Sequence, residues 1–216
     1  PYNNTFQIIE GETWLKKNKS HSGGVFGCVI GVSDMDKALP LYQSVLGYEQ
    51  VAYDQTSVFS DFSGLPGDSK KYRRVLLKSN PKRCGAFSRL LGDTELELVQ
   101  IIDEKPNKIF ENRYWGDLGF IHVCFDVHGM EQLGALCAEH NFPFTVDSSN
   151  SFDMGKAAGH FTYCEDPDGT LIEFVETHKL PIMEKWGWFL DLQTRNPAKP
   201  LPDWLFTLLG LAKVKA

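Results

Sequence analysis

The feature that most constrains the fold of this chain is an internal repeat. Residues 27–35 read Gly-Cys-Val-Ile-Gly-Val-Ser-Asp-Met, and residues 122–130 read His-Val-Cys-Phe-Asp-Val-His-Gly-Met. Each is a strand-like apolar run that leads through a turn into a helical pattern. The first predicted helix follows Asp34, a good N-cap, and stops at Gly47. The second spans about residues 130–140, because a Phe-Pro pair ends it.

Three strand candidates follow each predicted helix. They are residues 49–53, 72–78 and 95–101 after the first helix, and residues 145–147, 158–164 and 170–176 after the second. The polar, Ser- and Gly-rich residues 54–71 indicate a long surface loop or lid. A single unit of strand, helix and three strands would leave an apolar sheet face open, so two units should pack as one α+β domain.

These patterns predict the boundaries of the chain's parts. The domain should cover residues 21–179, with module one at about residues 25–102 and module two at about residues 119–178. Residues 1–20 are expected to be the end of a preceding module or an N-terminal arm. Residues 180–216 are expected to form a helical C-terminal tail.

The two ends of the chain carry patterns of their own. Residues 1–10 align without a gap on residues 167–176, which predicts that the chain starts inside the last strand of an earlier module. It would then be a fragment or the ordered part of a four-module protein. In the tail, residues 182–190 and 201–210 predict two short apolar helices. Their three tryptophans should be buried against the sheet, a partner domain or a second subunit.

Composition argues against several classes of function. The 22 Lys and Arg against 28 Asp and Glu give a formal net charge of -6, and the basic residues form no run, so we expect no binding to nucleic acid. No apolar run approaches the roughly 20 residues of a membrane span, so we expect no membrane insertion and a cytoplasmic protein. The five cysteines are odd in number and lack CxxC spacing, which is typical of reduced thiols.

Two motifs resemble a known family. Residues 32–47 contain Val-Ser-Asp-Met-Asp-Lys-Ala-Leu and end in Val-Leu-Gly, and residues 165–173 read Glu-Asp-Pro-Asp-Gly-Thr-Leu-Ile-Glu. Both resemble motifs of the vicinal oxygen chelate superfamily, which includes glyoxalases, bleomycin resistance proteins and extradiol dioxygenases. The resemblance covers roughly residues 25–178. It implies two βαβββ modules that form a cup-shaped mixed sheet around one small-molecule site.

The resemblance also implies a set of metal ligands on the first and last strands of each module. Glu97, His122 and Glu173 match three of the four places, whereas the fourth falls on Gly27, which has no side chain to offer. One His and two carboxylates suit a divalent ion such as Zn, Ni, Mn or Fe(II). Such an ion would polarise vicinal substrate oxygens, and Glu97 or Glu173 would move the proton as a catalytic group.

Several alternatives stay open at this point. Glu97 could lie on the solvent face of its strand, and His122 could be a core histidine. The protein could be a metal-dependent isomerase or lyase or, less readily, a dioxygenase, which needs a second His. It could instead be a metal-free binding module or the non-catalytic half of a longer chain, acting as a homodimer or beside another domain of this superfamily. Arg73 and Arg74 point to opposite faces, so only one can line the cup, where it could hold an anionic substrate.

Overall fold

Two sheets with the same strand order form the body of the chain. The computed structural model describes residues 4–10, 23–79, 84–149, 152–153, 158–183 and 186–210. In both sheets the module's first strand lies parallel to its last strand, and the last strand pairs with the one before it in antiparallel register. The predicted α+β fold of two βαβββ modules is confirmed, and both sheets are open.

Module one has the order β1-β4-β3-β2. Its elements are β1 (Gly27–Gly31), α1 (Met35–Pro40), a π-helical turn (Leu41–Val45), β2 (Gln50–Ser57), a 3-10 turn (Ser60–Phe62), β3 (Tyr72–Lys78), α2 (Ser88–Leu91) and β4 (Glu95–Ile101). The Asp34 carboxylate accepts a hydrogen bond from the Lys37 backbone N–H and so caps α1 as predicted. Gly47 ends the helical region with a φ of +72°, a conformation that glycine adopts without strain.

Module two repeats this arrangement with the order β5-β9-β8-β6. Its elements are β5 (His122–Asp126), α3 (Met130–Glu139), β6 (Val146–Asp147), β7 (Phe152–Asp153), β8 (Ala158–Glu165) and β9 (Leu171–Thr177). The short β7 also pairs with β8. The helix and the two long strands lie close to their predicted positions.

The two modules share one core. Leu96 and Leu98 of β4 and Ile172 and Phe174 of β9 are buried in the same apolar cluster, together with residues of α1 and α3. Side chains alternate along a strand, so the residues between these apolar ones point the other way. We call the sheet surface that points away from the shared core the outer face. Each module therefore has an outer face.

The Asp-Pro-Asp-Gly turn connects the modules. The buried Asp166 carboxylate accepts hydrogen bonds from the Tyr42 hydroxyl of module one, at 2.8 Å, and from the Thr170 backbone N–H, at 2.8 Å. Two residues further on, Asp168 accepts a hydrogen bond from the backbone N–H of Ser33 at 2.7 Å. The motif that carries much of the family resemblance thus fastens module two to the start of α1.

The first part of the tail is not helical, so that prediction was wrong. β10 (Lys179–Met183) and β11 (Trp188–Asp191) pair as a two-stranded antiparallel sheet. Pro181 disfavours a helix interior, and Gly187, with a φ of +68°, allows the reversal between the strands. The second prediction is confirmed, because α4 spans Asp203–Leu209.

The tail buries four apolar side chains, whereas its tryptophans are exposed. Leu192, Leu201, Leu205 and Phe206 form a second small core against residues 86–87. The three tail tryptophans are all more than half exposed, so the expected burial does not occur within the described part of this chain. None of the described helices is long and apolar enough to cross a membrane.

The predicted beginning of the chain stays a prediction. Residues 4–10 form no strand. Their contact with the body includes an edge-to-face pair of the Phe6 and Phe120 rings, with centroids 6.0 Å apart. Residues 1–3 and 11–22 lie outside the described residues.

Candidate functional site

The outer face of module two brings two of the predicted site residues together. Nε2 of His122 on β5 lies 2.9 Å from one carboxylate oxygen of Glu173 on β9. The Tyr163 hydroxyl on β8 donates a hydrogen bond of 2.7 Å to the other oxygen of Glu173. Tyr163 is the register partner of Glu173, so both side chains lie on the same face. One carboxylate thus joins three neighbouring strands.

Trp115 completes this group from the linker between the modules. Its ring stacks on the His122 ring with centroids 5.9 Å apart and meets the Tyr163 ring edge-on at the same distance. Trp115 was not among the residues predicted from the sequence. Tyr163 was also missed, although the alternation of β8 could have placed it opposite Glu173. We call Trp115, His122, Tyr163 and Glu173 the module-two cluster.

The surroundings of the cluster favour protonated groups. Burial and then the hydrogen bond to Glu173 raise the pKa of Tyr163. The pKa of Cys124, the β5 register partner of Glu173, rises to about 12 because of burial and then the charge of Glu173. Further along the face, burial and then the charge of Glu176 raise the pKa of Asp126 to about 7. The face therefore offers the Tyr163 hydroxyl and the Cys124 thiol as donors beside the Glu173 carboxylate.

Glu97, the equivalent carboxylate of module one, lies in a separate buried network. It accepts hydrogen bonds from the Arg74 guanidinium and the Tyr53 hydroxyl. The Glu97 and Arg74 side chains are each only 6% exposed. Arg74 also donates to both oxygens of Asp61, at 2.8 and 2.7 Å. Glu97 is therefore buried, which contradicts the alternative that placed it on the solvent face of its strand.

The predicted surface loop takes part in this network. β2 continues to Ser57, beyond the strand predicted to end at residue 53, and the 3-10 turn then carries Asp61 onto Arg74. The rings of Phe59 and Phe62 lie 4.6 and 4.5 Å from the guanidinium carbon. Arg73 points to the opposite side, where it pairs with Asp36 in the first turn of α1. Of the two arginines, Arg74 is the one on the outer face.

Gly27 has no room for a side chain. A Cβ atom built on it would lie 1.9 Å from the backbone carbonyl oxygen of Glu95, its partner on β4. Any ligand at this place would require β1 to move away from β4. The close pairing of β1 with β4 therefore requires glycine at this place, where the family pattern has a metal ligand.

The predicted ligands do not converge within one chain. Among the described residues, no group of three or more His, Cys, Asp or Glu side chains is arranged to hold a metal ion. Glu97 and Glu173 both alternate with residues of the shared core and so both point away from it. His122 and Glu173 meet, Glu97 is paired with Arg74, and Gly27 supplies nothing. These residues, in the arrangement described, do not fit a three-ligand metal centre.

The module-two cluster forms one wall of a site and not an enclosed cavity. Two shallow hollows lie on the described surface, and Leu171, the register partner of His122, lines one of them. One is lined by residues of β10 and β11, and the other by residues 108–111 and the Asp-Pro-Asp-Gly turn. A ligand on the cluster would therefore remain open to solvent on one side unless another surface covers it.

Comparisons with known proteins agree with this fold. The model of the Glyoxalase/Bleomycin resistance protein/Dioxygenase superfamily matches residues 25–174. A glyoxalase family protein from Bacillus cereus has 16% identity and a TM-score of 0.50, over 74% of this chain and 97% of that one. At this identity the likeness concerns the fold alone. The comparison with curated proteins found no match.

Two further solved structures are similar to this chain. Glyoxalase I from Leishmania major has 21% identity and a TM-score of 0.45, over 72% of this chain and 87% of that one. An antibiotic-binding protein from a Streptomyces species has 16% identity and a TM-score of 0.46, over 73% of this chain and 98% of that one.

Proposed function

Because this chain belongs to the Glyoxalase/Bleomycin resistance protein/Dioxygenase superfamily, we propose that it binds a small organic ligand on the module-two cluster without a metal ion. The observation that carries the proposal is the cluster itself, in which Glu173 joins His122 and Tyr163 beside the exposed ring of Trp115. Flat aromatic surface next to a few oriented polar groups is typical of small-molecule sites.

The polar groups of the cluster define the chemistry of the ligand. An ionised carboxylate only accepts hydrogen bonds, so a ligand that replaces His122 or Tyr163 at Glu173 must present a hydroxyl or N–H donor. The Trp115 indole offers a face for a planar ring. A planar ligand with adjacent hydroxyl groups, such as a catechol, satisfies both requirements.

The metal-dependent enzyme predicted from the sequence is the competing hypothesis. It requires Glu97, His122 and Glu173 to meet, which a single chain does not provide. A second copy, or another domain of the same superfamily, would have to bring Glu97 onto the cluster. Glu97 would also have to leave Arg74, which would break a buried ion pair. These two requirements are the reason that we favour binding without metal.

Metal content separates the two hypotheses. Protein purified without chelator or nickel resin would be incubated with Zn, Ni, Mn or Fe(II), desalted and subjected to elemental analysis. The proposal expects far less than one equivalent of each ion. About one equivalent in the parent protein, lost in His122→Ala, would replace the proposal with the metal-dependent isomerase, lyase or dioxygenase.

Binding of catechol tests the cluster directly. Calorimetric titration should show binding of catechol and weaker or no binding of veratrole, its dimethyl ether, which cannot donate hydrogen bonds. Trp115→Ala should weaken the binding of catechol, whereas Trp204→Ala, which removes a similarly exposed tryptophan of α4, should not. Equal effects of the two substitutions would count against the cluster as the site.

A further inference from the structure

The buried Arg74 on the outer face of module one is a charged group with unequal partners. Its side chain is 6% exposed, so its charge must be compensated by the protein. Glu97 lies on β4, which is paired on both sides, and is itself 6% exposed. Asp61 lies on the short 3-10 turn Ser60–Phe62, and its side chain is 55% exposed. Of the two carboxylates, Asp61 is the one that already reaches water and can leave Arg74 without exposing a buried strand residue.

The contact between Arg74 and Asp61 is not the best one that these groups can make. Both Asp61 oxygens contact the single nitrogen Nη1. A guanidinium binds a carboxylate most specifically through two parallel hydrogen bonds from two of its nitrogens. A free carboxylate, which is not tethered to a turn, could adopt that geometry.

The rings around Arg74 add a shape requirement. The ring centroids of Phe59 and Phe62 lie 4.6 and 4.5 Å from the guanidinium carbon, and the Tyr72 ring contacts the Phe62 ring edge-on at 5.3 Å. A guanidinium that lies over ring faces keeps the N–H groups at its edge free for anions, and here Glu97 and Asp61 occupy that edge. The surface next to this edge is aromatic and suits a planar apolar group.

We propose that Arg74 anchors a second ligand site, for a small aromatic carboxylate, and that Asp61 occupies this site when the ligand is absent. The ligand carboxylate replaces the Asp61 carboxylate on Arg74, so the charge next to the guanidinium is unchanged by the exchange. The Asp61 side chain then moves into water, to which it is already more than half exposed. This site lies on module one and does not depend on the module-two cluster or on a metal.

The test measures benzoate binding by calorimetry in the parent protein and in Asp61→Asn. If Asp61 competes for Arg74, removing its charge should tighten benzoate binding about tenfold, as expected for a site occupied about nine-tenths of the time. Benzamide, which has the same shape and no charge, should bind no more tightly to Asp61→Asn than to the parent protein.

Asp54→Asn is the matched control. Asp54 pairs with Arg73, which lies next to Arg74 on β3 but points to the opposite side of the sheet. Asp54→Asn therefore removes one negative charge from a neighbouring arginine. It should leave benzoate binding unchanged. Equal tightening in both variants, or none in Asp61→Asn, would overturn the proposal.

A third variant locates the anion on Arg74. In the Asp61→Asn background, Arg74→Lys keeps the positive charge but loses the planar fork, and benzoate should bind at least about tenfold more weakly. Unchanged binding in a folded double variant would contradict the proposal. If the double variant does not fold, the comparison of Asp61→Asn with Asp54→Asn still decides the question.

Discussion

Both modules carry a glutamate at the same position of the last strand, but the surroundings of the two glutamates differ. Glu173 is joined to His122 and Tyr163 on a partly open face, whereas Glu97 is held in a buried ion pair. The difference lies on the neighbouring strand. Arg74 stands opposite Val99 in module one, and Phe161 stands opposite Val175 in module two. On the strand before last, an arginine therefore neutralises the carboxylate of module one, whereas a phenylalanine holds the equivalent place in module two.

Removing Arg74 should have the largest effect on stability. Arg74→Met leaves Glu97 buried without its counter-charge, which should cost about 3 to 5 kcal/mol of unfolding free energy. Urea unfolding measures the loss. Adding Glu97→Gln to this variant should recover much of it, because the buried charge is then gone. A loss below about 1 kcal/mol in the single variant would show that the network is not as closed as described.

The first strands provide the second comparison. Gly27→Ala pushes a Cβ into the backbone of Glu95 and should cost about 1 to 3 kcal/mol, a typical penalty for overpacking. His122→Ala, at the equivalent place in module two, removes a side chain that is 29% exposed and should cost about 1 kcal/mol or less. Thermal and urea unfolding of both variants check this order. If Gly27→Ala were neutral, β1 could move, and a ligand at this place would become feasible.

Asp126 should make the stability of module two depend on pH. The equivalent residue in module one is Gly31, which has no side chain to titrate. The folded-state pKa of Asp126 is raised from 3.8 to about 7, so the folded protein holds its proton more tightly than the unfolded chain. This contribution to stability is fully present below about pH 4 and is lost as the pH rises through about 7.

Asp126→Asn should remove this loss. Since Asp126 is exposed by more than a third, we expect the effect to be modest, about 1 kcal/mol. The unfolding free energy of Asp126→Asn, relative to the parent protein, should increase by that amount between pH 4 and pH 8. A constant difference over this range would mean that Asp126 titrates at its ordinary pKa.

The sequence was most informative where local patterns determine structure. β3 and β4 have the bounds that their alternation predicts, and α3 ends one residue before its predicted end. His122 and Glu173 were predicted as neighbours from the family motifs, and they are in contact. The strand and helix bounds depend on the periodicity of nearby residues, which a sequence displays directly. The contact of His122 with Glu173 was instead implied by the resemblance to the family.

The sequence was least informative where distant residues decide the outcome. Nothing near Glu97 in the sequence indicates that Arg74 would neutralise it, because that pairing depends on the strand register and on the turn that carries Asp61. Likewise, Trp115 reaches His122 only because the linker folds back over β5. Residues 182–190 were predicted as helical from their apolar content, and the β-hairpin shows that Pro181 and Gly187 carried more weight.

The smallest effect that we expect concerns the ion pair between α2 and α4, which separates the role of charge from the role of burial. Arg89 donates two hydrogen bonds to Asp203, at 3.0 and 2.8 Å, which is better geometry than the contact of Arg74 with Asp61. Both side chains are about half exposed, however. A double-mutant cycle with Arg89→Met and Asp203→Asn should give a coupling energy of about 0.5 kcal/mol, reduced further by salt. A coupling energy close to the loss expected for Arg74→Met would contradict this view. Burial would then not explain the stability of the Arg74–Glu97 pair, and the geometry of the ion pair would have to explain it.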